Sequence, residues 1–130
     1  METITPQPQL PFLTAYHAPE SVSDEIIKSF GDEEDEAVKL AIHWSWQNRR
    51  VRRMSQRRAS EIMGIANSHF SNILNGDKYL PPQKINAFQW ACGNRAVSQT
   101  IDRFDAMRKQ RMIDETAQMV AQYLGLQQAA

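Results

Sequence analysis

Apolar residues in this chain return at three- and four-residue intervals, and that spacing predicts a succession of helices from residue 21 onward. Ser21 to Phe30 reads as a short helix ended by Gly31. A longer one follows from about Asp32 to Asn48, with Val38, Ala41, Ile42 and Ser45 on one face and Trp44 and Trp46 beside them. Met54 to Gly76 reads as two short helices joined by a tight turn. Pro81-Pro82 opens the next helix, which spaces Ile85, Phe88 and Cys92 for burial and stops at Gly93, with Tyr79-Leu80 expected to pack under its entry. Asn94 to Leu124 can hold one or two helices. Val97, Ile101 and Phe104 face inward, Arg108 and Arg111 interrupt the seam, and Ile113, Ala117, Val120 and Leu124 resume it with Met112, Met119 and Tyr123 adjacent. No segment alternates convincingly with a period of two, so the expected fold class is all-α.

The segment MSQRRASEIMGIANSHFSNILNG, residues 54–76, carries the most information. Ser55 can cap the first helix by accepting from an unpaired backbone N–H. Ala59 and Met63 stand four apart on a shared buried face, with Ser60 as the small residue against the second helix. Gly64 can end the first helix in a left-handed conformation, and Ile65 plugs the turn. From Asn67, the residues Phe70, Ile73 and Leu74 form an inward face of helical period. Asn67, Ser68, His69, Ser71 and Asn72 point elsewhere, and Asn75-Gly76 closes the unit as a turn.

These residues resemble the helix-turn-helix of Xre-type phage and prophage regulators, the family of phage lambda repressor and the Cro proteins. The family pattern maps onto Gln56 opening the first helix, Ser60 four later, Gly64 at the turn, Met63, Ile65, Phe70 and Ile73 around it, and Asn75-Gly76 at the end. About 23 residues match closely, and residues 35–100 fit the family's four- or five-helix layout. Ser60 departs from the usual Ala and brings a hydroxyl that needs a partner. The resemblance implies that Asn67 to Leu74 enters the major groove, with Asn67, Ser68 and His69 first and Ser71 and Asn72 second at base edges. It also implies that Gln56 holds a phosphate and steadies Asn67.

Net charge is zero, but its distribution is not even. Residues 1–36 carry a net charge of −8, residues 37–111 of +10 and residues 112–130 of −2. Arg49, Arg50, Arg52, Arg53, Arg57 and Arg58 fall within ten residues. Guanidinium forks suit phosphate oxygens, and such contacts fix register without reading sequence. These six, with Lys78 beyond the turn, are the expected phosphate grips. A basic loop paired with the acidic run 32–36 is the plainer reading of the same arginines. Part of that run also suits the first turn of a helix, where carboxylates favour the helix dipole.

Catalytic chemistry finds little support. Cys92 is the single cysteine, so neither a disulfide nor a thiolate metal cluster forms within one chain. His17, His43 and His69 are 26 residues apart and lack metal-ligand spacing. There is no glycine-rich phosphate loop, nucleophile elbow or close acid pair in an apolar setting. The sequence therefore predicts a non-enzyme with no cofactor, no metal and no catalytic residues. The start METITPQPQLPFL lacks a basic leader and a long apolar run, so no secretory signal and no membrane span are expected.

The expected organisation is a flexible, proline-containing, acidic arm over 1–31, a helix-turn-helix DNA-binding domain over 32–104 with its motif at 55–76, and a C-terminal helix over 105–130. One reading helix covers too few base pairs for useful specificity, so the resemblance implies dimers on inverted half-sites. Ile113, Ala117, Val120 and Leu124 are the expected oligomerisation stripe. The functional expectation is a cytoplasmic, nucleoid-associated, sequence-specific regulator of double-stranded DNA, acting as a phage or prophage repressor. A tetrameric activator similar to phage CII proteins and an antitoxin-like interaction module are the alternatives.

Overall fold

The computed structural model describes residues 18–129, and in them every regular element is helical. The elements are α1 (Asp24–Ser29), α2 (Glu34–Gln47), α3 (Gln56–Met63), α4 (Asn67–Leu74), a 3-10 turn (Pro82–Lys84), α5 (Ile85–Cys92) and α6 (Ala96–Ala129). The chain divides into two units, one ending at Thr100 and one comprising the rest of α6 from Ile101. No helix among the described residues is long and apolar enough to cross a membrane.

The helix ends follow local chemistry. Ser23 accepts from the Ile26 N–H at α1, and Glu33 accepts from the Asp35 N–H at α2, whose first turn holds Glu34, Asp35 and Glu36. The acidic run thus serves the start of α2. Gly64 ends α3 at φ +72° and Gly93 ends α5 at φ +84°, both in the left-handed region. The long stretch after Asn94 is one helix of 34 residues.

The core of the first unit is an aromatic stack with aliphatic neighbours. Phe70 of α4 meets Trp46 of α2 edge-on at 5.4 Å between ring centroids, and Phe88 of α5 at 6.1 Å. Ala37, Ala41 and Ile42 from α2, Ala59 and Met63 from α3, and Ile73 from α4 are buried with them. Small residues on α2 and α3 let the helices approach closely enough for Phe70 to be fully enclosed.

Residues 18–31 are not the end of a flexible arm. The Glu20 N–H donates to Gly93 O at 3.0 Å and Glu20 O accepts from the Arg95 N–H at 2.9 Å. Gln99 then accepts from the Val22 N–H and donates to Val22 O, both at 2.8 Å, while Ile27 and Phe30 are buried. Residues 18–31 therefore belong to the helical unit. The remainder of the expected arm, residues 1–17, lies outside the described residues.

Candidate nucleic-acid interface

The α3–turn–α4 unit is built as its residues dictate. Ser55 accepts from the Arg58 N–H at 3.0 Å, so α3 starts on a side-chain cap. Its far end folds over Gly64, where the Ile65 N–H returns to Ser60 O at 3.0 Å. The Ser60 hydroxyl donates to Arg57 O at 2.7 Å within its own helix and so is satisfied while buried. α4 begins at Asn67. Its N-cap residue is Ala66, which supplies no side-chain cap.

Phe70 and Ile73 bury the inner face of α4, leaving Asn67, Ser68 and Asn72 exposed and His69 and Ser71 half-buried. Asn67 and Ser71, like Ser68 and Asn72, stand one turn apart and share a face. Gln56, first in α3, donates from Nε2 to Asn67 Oδ1 at 3.3 Å and to Asn67 O at 3.5 Å. At the other end of α4, the Asp77 and Lys78 N–H groups donate to Asn72 O, which seats the exposed Lys78 beside the helix.

The arginine cluster separates into two groups. Arg49 lies 4.1 Å from the centre of the Trp46 ring and donates to the carbonyls of Trp46, Arg52 and Met54. Arg50 donates to Ala18 O and Gly93 O, and Arg52 to Gln47 O. Arg49 and Arg52 therefore brace the link between α2 and α3, and Arg50 ties that link to Ala18 and to Gly93 at the end of α5. Arg53 and Arg57 are exposed, and Arg58 is exposed while pairing with Glu61 at 3.4 Å.

Comparisons with protein-family models, curated proteins and solved structures find no match. The functional reading thus stands on the side chains and their placement.

Two features went unread in the sequence. Tyr79, expected to pack beneath the next helix with Leu80, is 69% exposed, whereas Leu80 is buried; the Lys39 ammonium stands 6.0 Å from the Tyr79 ring centre. Its place directly after the polar turn Asn75 to Lys78 was the available signal. The other is Lys84, whose ammonium sits over Gly64, at the carboxyl end of α3 where a cation is favoured. Cys92 is buried, and burial pushes its thiol far above the usual range, against a smaller opposing effect of Arg49. On α6, Ile113, Val120 and Leu124 are exposed along with Met112, Met119 and Tyr123, and Ala117 lies exposed between them.

Proposed function

We propose that this chain is a sequence-specific double-stranded DNA-binding transcriptional regulator of the phage or prophage repressor type, acting in the bacterial cytoplasm on an inverted-repeat operator. The observation that carries the reading is the outward face of α4. Its exposed residues are short amides and hydroxyls, the groups that hydrogen-bond base edges, and its first residue is held by Gln56. Asn67 and Ser68 are assigned to base edges, followed by Asn72 and Ser71, with His69 at the rim.

Arg53, Arg57, Arg58 and Lys78 are assigned to phosphate, supplying the sequence-independent attraction. Gln56 contributes a phosphate contact and orients Asn67. Two such units on one operator give the specificity that a single α4 lacks, and the exposed stripe on α6 is assigned to bringing them together.

Fluorescence-anisotropy titration with the DNA upstream of the chain's own gene, against scrambled DNA at two salt concentrations, tests this. Cognate binding that survives higher salt while scrambled binding collapses is the expected result. Equal, salt-sensitive binding to both would reduce the surface to a non-specific basic patch, and no binding to either would overturn the reading.

A further inference from the structure

The exposed side of α6 has an order that a general sticky face would not need. Ile113, Ala117, Val120 and Leu124 follow spacings of four, three and four. In a heptad this sets Ile113 and Val120 at d, Ala117 and Leu124 at a, and Gln110 at the preceding a position. The side chains are displayed, with Met112 68% and Met119 69% exposed beside the seam.

We propose that the α6 helices of four copies of this chain associate as a parallel, in-register four-stranded coil over residues 109–124, locked by Lys109 of each helix against Asp114 of the next. This rests on the reading of the C-terminal helix as a self-association element. Strand number comes from the core layers and from the operator: β-branched Ile113 and Val120 at d with Leu124 at a, beside Ala117 and Gln110, favour three or four strands over two, and inverted half-sites are filled by an even number of copies. The width of the face agrees, because Met112 and Met119 at c and Tyr123 at g extend it beyond the narrow a/d seam of a two-stranded coil.

Orientation comes from charge. In a parallel coil the g residue of one helix faces the following e residue of its neighbour, which places Lys109 against Asp114. The Asp114 carboxylate is already held by Gln110, whose Nε2 donates to its Oδ1 at 2.9 Å. No Lys, Arg, Asp or Glu occurs between residues 116 and 129. An antiparallel pairing that sets this stripe against itself would leave Lys109 and Asp114 facing only uncharged chain. Four copies carry four α4 helices, twice the number one inverted repeat engages, so the assembly can hold two operators at once.

Sedimentation equilibrium of the full chain, with charge and core variants, decides the matter. The wild type is expected at four times the 14.9 kDa chain mass. Lys109→Asp and Asp114→Lys should each lose the tetramer at concentrations where the wild type keeps it, and the double reversal should regain it. Ile113→Leu/Val120→Leu/Leu124→Ile, which puts the β-branched residue at a, should shift the mass to a dimer. A monomeric wild type would overturn self-association altogether. A dimeric or trimeric wild type would keep self-association and overturn the four-stranded coil. A tetramer indifferent to both charge reversals would overturn the parallel register.

Discussion

Gln56 Nε2 and Asn67 Oδ1 lie 3.3 Å apart, so the first residue of α3 steadies the first residue of α4. Both side chains are short and uncharged, and the contact restricts the rotamers from which Asn67 can reach a base. On the proposed reading Asn67→Ala costs roughly 1–3 kcal/mol on cognate DNA and spares random DNA. Gln56→Ala weakens the same discrimination through Asn67. The two changes should be non-additive by about 0.5 kcal/mol or more in a double-mutant cycle measured by anisotropy. Strict additivity would remove the positioning role from Gln56.

The arginines separate by what their guanidinium groups already hold. Arg49→Ala removes three bonds to carbonyls and the stack on Trp46, and should cost about 1.5–3 kcal/mol of folding stability in urea titrations. Arg57→Ala should leave the urea midpoint unchanged and flatten the slope of log affinity against log salt by about 0.9 for each phosphate that Arg57 neutralises. The opposite assignment, with Arg57 structural and Arg49 inert, would contradict the split.

That split also shows where sequence reading stops. The helices over Gln56–Met63 and Asn67–Leu74 were legible because Ser55 and Gly64 mark their ends and Phe70, Ile73 and Leu74 keep helical period. A run of six arginines within ten residues, by contrast, does not reveal which of them find backbone carbonyls. Arg50 reaches Ala18 and Gly93, which are remote in sequence. The same limit hid the docking of residues 18–22, which depends on backbone bonds to Gly93 and Arg95 and on the Gln99 amide 77 positions from Val22. A Tyr-Leu pair after a turn has the composition of a core plug, which is why Tyr79 reads as buried. Only the packing separates buried Leu80 from exposed Tyr79.

Glycine substitutions should form a graded series. Gly31, Gly64 and Gly93 all have positive φ, so alanine at each costs about 1–2 kcal/mol for the left-handed backbone. At Gly31 an added Cβ meets nothing within 4 Å, and at Gly64 it touches only the flexible end of Lys84 at 3.4 Å. At Gly93 it falls 2.7 Å from Cβ and Nε of Arg50, which itself holds Gly93 O, so overpacking adds roughly 1–3 kcal/mol more. Thermal melts of the three variants should rank Gly93→Ala as the least stable by a clear margin.

Cys92 gives the fold a pH limit on the alkaline side. Its thiol is held protonated by burial in the native state, while in the unfolded chain it ionises near pH 8.5. The unfolded state therefore binds fewer protons above that pH, and stability falls as pH rises, by at most about 1.4 kcal/mol per pH unit from this group. Below about pH 8 the contribution is constant. Urea titrations between about pH 7 and 10, which span that unfolded-state value, should show this decline in the wild type and a shallower one in Cys92→Ala. Identical slopes in the two proteins would mean that the thiol is not the titrating group.

The uncapped start of α4 links stability to function. Ala66 is exposed and cannot accept from the first N–H groups of α4, although Ser, Thr, Asp or Asn at that position stabilises a helix by about 0.5–2 kcal/mol. An N-terminus left open next to Asn67 and Ser68 suits a surface that receives phosphate, because the same N–H groups and the helix dipole favour an anion. Ala66→Asp supplies the missing acceptor and adds a negative charge where the DNA backbone would lie. Its melting temperature should rise while its affinity for both cognate and scrambled DNA falls. Ala66→Ser should give most of the stability gain with a smaller loss of binding, since it adds no charge. A gain in stability with DNA affinity unchanged in the Asp variant would place the start of α4 away from the nucleic acid.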